Sequence, residues 1–568
     1  MSGKTARQTI KRLYAIRNQY GSDEAVEKLA LLDALDDLES RSATDLGRLH
    51  LALCFLRAFP DNRRVLDRVT AALDGFTSRV TRLGEGERKR LVDTGIAGTT
   101  LHYPFSYEVS AWLASKFPGV AAIDWAAFDE PARFEELLEH VLHHAETDYY
   151  DSGRVSTRDW LDLAAAHRPG SDVDWLMSEL HDRRHHARFW TSLYNAAEVP
   201  LVCTLAETGL SRTRNIFPCG RIHFRTTPMQ AGVIRPKAEI GRRIRSVKRL
   251  DRKGGQALLD VAMASLAVRH RETIHFNCAN PAEVWIADVG RGVQVAATGL
   301  LPEHRYPLEC TMGFLILSNG VPIGYGGSSM LFRQANTGIN IFEEYRGSEA
   351  AWLWAQVMRV FHALSGCTRF VANPYQFGSE NTEALKSGAF WFYYRLGYRP
   401  VAADVRKLAR SEFAKVARGK GYRTPVGVLR KLAVCDMHLT LPAARQADFF
   451  DEEWIELSSL LATQQLARTG HRSRRRAQDA LAHALAQDLE IASMAEWSQE
   501  ERRWFVRLSP IISALHPGSW SAADRRSLVA LMRAKGSKHE RDFAARLGEH
   551  ERLFNALKKA CRRLAREH

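Results

Sequence analysis

The chain has no two cysteines spaced to hold a metal or to close a short disulfide loop. Its eight cysteines (Cys54, Cys203, Cys219, Cys278, Cys310, Cys367, Cys435 and Cys561) are scattered over 568 residues without a CxxC. That argues against a disulfide scaffold or a structural zinc and fits the reducing cytoplasm, where we expect the protein. No run of about eighteen apolar residues occurs, so no membrane-spanning helix is expected. The basic start (Lys4, Arg7, Lys11, Arg12) is not followed by the apolar stretch of a secretion signal. A catalytic-serine elbow, a paired-carboxylate motif and a phosphate-binding P-loop are all missing, which leaves hydrolase and nucleotidase readings without support. No fixed-period repeat marks a solenoid.

What is present is a chain of ordinary globular composition, 45% hydrophobic and 26% charged, and long enough for about three domains. Its net charge of +15 favours polyanionic partners such as nucleic acid, anionic lipid or a CoA-type phosphate, without choosing among them. Arginine as the default surface cation explains the same excess. Nine cations crowd 235–253 (Arg235, Lys237, Arg242, Arg243, Arg245, Lys248, Arg249, Arg252, Lys253), and four more lie within Arg472 to Arg476. Such runs track a phosphate backbone or form a solvated face. Without interleaved aromatics they predict weak, salt-sensitive polyanion binding with no base preference. Histidines cluster at His140, His143 and His144 and at His181, His185 and His186. Partners at i and i+4 could ligate a metal, but no second ligand-bearing segment accompanies them, and solvated or hydrogen-bonded histidines are the simpler reading.

Apolar periodicity divides the chain into three units. Residues 1–210 read as helical, with one apolar helix from Leu49 stopping at Pro60. Residues 218–405 read as α/β: alternation at Arg221 to Thr227, a helix from Gln256 to Arg269, and strands near Thr273 to Phe276 and Val284 to Ala287. Residues 406–568 read as mainly helical after a strand at Val401 to Val405.

The centre of the α/β unit is Gly313 to Pro400. Two apolar runs meet at Asn319-Gly320, the dipeptide of a two-residue hairpin turn. A strand from about Thr337 to Phe342 then runs through Glu343, Glu344, Tyr345, Arg346, Gly347 and Ser348 into a helix from Ala350 to Leu364. A strand at Thr368 to Ala372 and a short helix ending at Leu396-Gly397 follow. A turn that opens a helix presents free backbone N–H groups and the positive end of the helix dipole, which suits a phosphate.

This segment resembles the core of the GCN5-related N-acetyltransferase (GNAT) superfamily, whose members carry a strand, a turn of the form EYRGxGxGxxL, a long helix, and later a helix ending in YxxLGF. Glu344, Tyr345, Arg346 and Gly347 match the turn, and YYRLGY from Tyr393 to Tyr398 matches the later signature. The turn's second glycine is Glu349 here, a carboxylate that repels a pyrophosphate unless it points away. The asparagine that the family often carries seven residues before the tyrosine is Lys386 here, with Asn381 five residues too early. The resemblance implies a mixed sheet with flanking helices between all-helical terminal domains. It implies an acyltransferase moving an acyl group from acyl-CoA, acetyl-CoA first, to an amine or hydroxyl. Arg346, Gly347, Ser348, Ala350 and Ala351 would cradle the pyrophosphate, Ile341 and Phe342 would offer a backbone N–H to the thioester carbonyl, and Tyr393 would protonate the leaving thiolate. It names no general base; Glu343 and Glu344 flank the turn. The alternative is a degenerate, non-catalytic version of the domain inside a scaffold or nucleic-acid-associated protein.

Overall fold

The computed structural model describes residues 3–35, 40–128, 131–183, 187–206, 208–229, 234–346, 349–419, 421–444, 449–451 and 453–567. It is an α/β protein built around one mixed sheet of nine strands: β4 (Ser246–Arg249), β5 (Ala279–Gly290), β6 (Val293–Leu300), β7 (Cys310–Ser318), β8 (Val321–Leu331), β9 (Gln334–Ile341), β10 (Arg369–Ala372), β11 (Arg399–Pro400) and β12 (Met437–Thr440). Their spatial order is β11-β12-β10-β9-β8-β7-β6-β5-β4. Every described neighbour pair is antiparallel except β9 with β10. That exception follows from the connection, since the chain leaves β9, crosses one face as the Ala350–Ser365 helix, and returns in the same direction.

The Asn319-Gly320 hairpin is present. Both residues have positive φ, 48° and 80°, as its tight turn requires. The Ala350–Ser365 helix is apolar nearly all round and buries Trp354, Val357, Met358 and Phe361; it ends at Gly366 in the left-handed conformation that glycine adopts without strain. Its Trp354 and Phe361 pack on Phe314 of β7. The neighbouring Gly313 faces the other way, where an added Cβ would lie 2.7 Å from His275 Cβ. Successive strand residues point to opposite faces, so this helix and the Ile274–Asn277 helix cover opposite faces of the sheet.

The terminal regions depart from the expected all-helical domains. Within the first 210 residues β1 (Thr100–Tyr103), β2 (Ala121–Ile123) and β3 (Leu201–Thr204) form a small antiparallel sheet in the order β1-β3-β2. Strands of three or four residues are too short to leave a period in the sequence, and their pairing spans about a hundred positions. Near the other end, β12 inserts between β10 and β11, so the large sheet takes a strand from beyond the expected boundary at 405. Three strand expectations also fail. Residues 221–227 are not a strand, because their backbone groups serve other segments: His223 N–H donates to Asn319 Oδ1 and Arg225 N–H to Pro60 O. Thr273 to Phe276 starts a short helix that caps the sheet. Past Pro400, Val401 N–H donates to Asp436 O and the chain turns into the Ala403–Arg418 helix. Among the described residues no helix is long and apolar enough to cross a membrane.

Candidate functional site

The parallel pairing of β9 with β10 stops at Asn336 opposite Val371, while β9 continues to Ile341. Its final residues therefore leave one backbone edge unpaired. Phe342 N–H donates to Ile323 O on the β8 side at 3.1 Å. Backbone groups alternate along a strand, so Ile341 turns its N–H to the open edge. A cleft of about 510 Å³ lies there, walled by the end of β9, the turn after it and the Thr382–Ser387 and Ala389–Arg395 helices.

Of the residues named from the sequence, Ile341, Phe342, Arg346 and Tyr393 line this cleft together. Ala350 and Ala351 open the long helix without lining the cleft. Gly347 and Ser348 lie outside the described residues.

Tyr393 is buried among Trp354, Phe377 and Tyr398. Its hydroxyl is 3.5 Å from Gln376 Oε1, which also lines the cleft. Burial pushes the phenol well above its ordinary range, so it carries its proton at neutral pH. Phe342 stacks on Tyr325 with centroids 5.5 Å apart and lies under the Arg269 guanidinium at 3.9 Å.

The turn's two glutamates separate. Glu343 is exposed, whereas Glu344 is buried and paired with Arg212 at 2.8 Å and with Arg269. Burial alone would raise the Glu344 carboxyl, but the Arg269 and Arg212 cations outweigh it and hold it at about 2. It cannot take a proton at neutral pH. Glu344 still borders the cleft, whereas Glu349 does not line it and has Arg225 at 2.6 Å and Arg291 at 2.9 Å on its two oxygens. Arg346 crosses the cleft mouth to Glu383 at 2.9 Å, an exposed pair that an incoming anion could replace. Asn381 caps the Thr382–Ser387 helix, accepting from Ala384 N–H at 3.0 Å.

Sequence reasoning missed Arg212, Arg269, Arg271 and Gln376, which come from loops and helix ends with no motif of their own. Of the histidines, His140 packs edge-on to Phe189 and Trp190, and His143 caps a turn at Ala145 N–H. His185 and His186 lie outside the described residues.

Comparison with family models, with curated proteins and with solved structures gives no match for this chain.

Proposed function

We propose that the chain is an acyl-CoA-dependent acyltransferase of GNAT type, acting on an amine or hydroxyl. The observation that carries this reading is convergence: Ile341, Phe342, Arg346 and Tyr393, named from separate stretches, line one cleft. Two further features support it. β9 runs into a turn and then a helix beside its one parallel neighbour, and the glutamate that would repel a pyrophosphate is held aside by Arg225 and Arg291.

In this reading the donor's pyrophosphate sits at the start of the Ala350–Ser365 helix, where the first N–H groups lack intrahelical partners. Arg346 exchanges Glu383 for phosphate. The thioester carbonyl lies against the Ile341 N–H, which donates to the oxyanion as the acceptor's nitrogen or oxygen forms a bond to the carbonyl carbon. The tetrahedral centre then expels the thiolate, the C–S bond breaks, and Tyr393 gives its proton to sulfur. The acceptor's proton goes to Glu343 or to solvent at the open mouth, since Glu344 stays ionised and paired.

Calorimetry with acetyl-CoA is the first test, and binding is expected. Tyr393→Phe is expected to lower turnover by about 10²- to 10⁴-fold with donor affinity nearly constant. Absence of binding at about millimolar acetyl-CoA, with longer acyl-CoA equally silent, would replace this reading with a non-catalytic one.

A further inference from the structure

A second cavity, of about 330 Å³, lies beside the Ala350–Ser365 helix, away from the acyl cleft. Arg242, Arg243, Arg245, Arg291 and Arg359 line it against Glu239 and Asp288. Arg359 is buried, with its guanidinium donating to the carbonyls of Arg242 and Arg243 and to Gln356. Burial, and then the like charge of Arg242, hold its pKa below the ordinary range, with Arg245 adding to the effect. Cations crowd here beyond what the local carboxylates neutralise.

The cavity continues into an open row of charge. The Pro236–Ile240 helix packs on the Ala350–Ser365 helix, β4 forms the outermost strand of the sheet, and the Arg252–Ala267 helix packs with the Ile274–Asn277 helix on the opposite face. The basic run therefore wraps around the sheet's free edge. Lys237, Arg243, Arg245, Lys248, Arg252 and Lys253 are exposed along it and, among the described residues, have no side-chain hydrogen bond or ion pair.

We propose that this edge, with the arginine cavity at its centre, binds the phosphodiester backbone of nucleic acid. A concave arginine cluster suits a tetrahedral phosphate, and cations extending on both sides of it suit a chain of phosphates over a single one. A membrane fits less well, because none of the exposed large apolar side chains lies in this segment to enter the lipid. Trp352, in the cavity wall, is buried beneath the Arg291 guanidinium, and no exposed aromatic lies along 235–253 to stack bases, so the contact reads the backbone. This inference does not depend on the acyl-donor reading.

The test is fluorescence anisotropy of the full chain with labelled single-stranded RNA and DNA of about 20 nucleotides, in salt from about 50 to 200 mM. Both strands are expected to bind similarly, with log Kd rising with log salt at a slope of about 3. The triple change Arg243→Gln, Arg245→Gln, Lys248→Gln removes exposed groups only, and an unchanged melting curve checks the fold. It is expected to weaken binding at least about tenfold at low salt and to reduce the slope by about 2. Removing as much charge from the Glu551–Glu567 helix, by Lys559→Gln, Arg563→Gln and Arg566→Gln, is expected to change affinity less than about twofold. No binding at low salt, an equal loss in the second triple variant, or binding only to phosphatidylserine vesicles would each overturn the proposal.

Discussion

Glu344 illustrates how a single side chain changes meaning with its surroundings. In the sequence it is one of two acidic residues at a turn; in the structure it is the buried counter-ion of Arg212 and Arg269. Its carboxyl titrates at an ordinary 4.5 when unfolded and at about 2 when folded. The unfolded chain therefore binds the proton first as pH falls. The stabilisation is complete above 4.5 and is lost as pH drops toward 2, by about 3 kcal/mol at most. Denaturant titrations of the protein and of Glu344→Gln should differ most above pH 4.5, with the gap narrowing below it. A gap independent of pH would mean that the carboxylate's charge does not matter. Tyr393 is the opposite case, a group whose raised pKa keeps the proton it is proposed to donate.

At the scale of elements, the start of the Ala350–Ser365 helix depends on residues far away in sequence. Glu349, the residue before it, is buried, and its charge is met by Arg225 from an irregular segment and Arg291 from the β5–β6 turn. Arg225→Met would remove one of the two arginines that meet that carboxylate. It should cost about 3 kcal/mol, since removing one member of a buried pair strands the other. A lower melting temperature and weaker acetyl-CoA binding are expected together, because the same turn would hold the donor. A variant that melts earlier but binds acetyl-CoA unchanged would separate the turn from donor binding. The helices and the hairpin of this region were legible because each carries a local signal: Asn-Gly at the turn, a full helical period from Trp352 to Leu364. Residues 221–227 alternate in sequence yet form no strand, because their N–H groups are taken up singly by other loops.

For the whole molecule, the C-terminal helices are tied to the sheet through ionic groups fully out of water. Arg305 donates to the carbonyls of Lys535 and Ser537 and pairs with Glu283 at 3.3 Å; Lys535 pairs with Glu540; and Glu283 accepts from Arg541 N–H. Burial pushes Glu283 up to about 7 against the pull of Arg305. Arg305→Met should therefore cost about 3 to 5 kcal/mol, because it removes the donor from four carbonyls, those of Leu300, Lys535, Ser537 and Lys538, and weakens the compensation of Glu283 and Glu540. Urea unfolding would measure it, and protease sensitivity in the 522–567 helices should rise with it. At the other side Ser318 and Asn319 at the hairpin tip bond Ala58 O, which joins the first helical region to the sheet.

The sequence by itself determined the central α/β character, the hairpin and the long helix after β9, because each rests on spacing within a few turns or strands; of the residues named through the family resemblance, Ile341, Phe342, Arg346 and Tyr393 line one cleft, whereas Ala350 and Ala351 do not. Only the tertiary structure decided that Arg212, Arg269, Arg271 and Gln376 border that cleft, that Glu349 does not line it, and that β12 enters the sheet from beyond residue 405. It also decided that the basic run wraps a sheet edge beside an arginine-lined cavity. Those outcomes depend on pairings between segments tens to hundreds of residues apart. Burial and charge neutralisation select such pairings only once the chain is packed, and local periodicity carries no record of them.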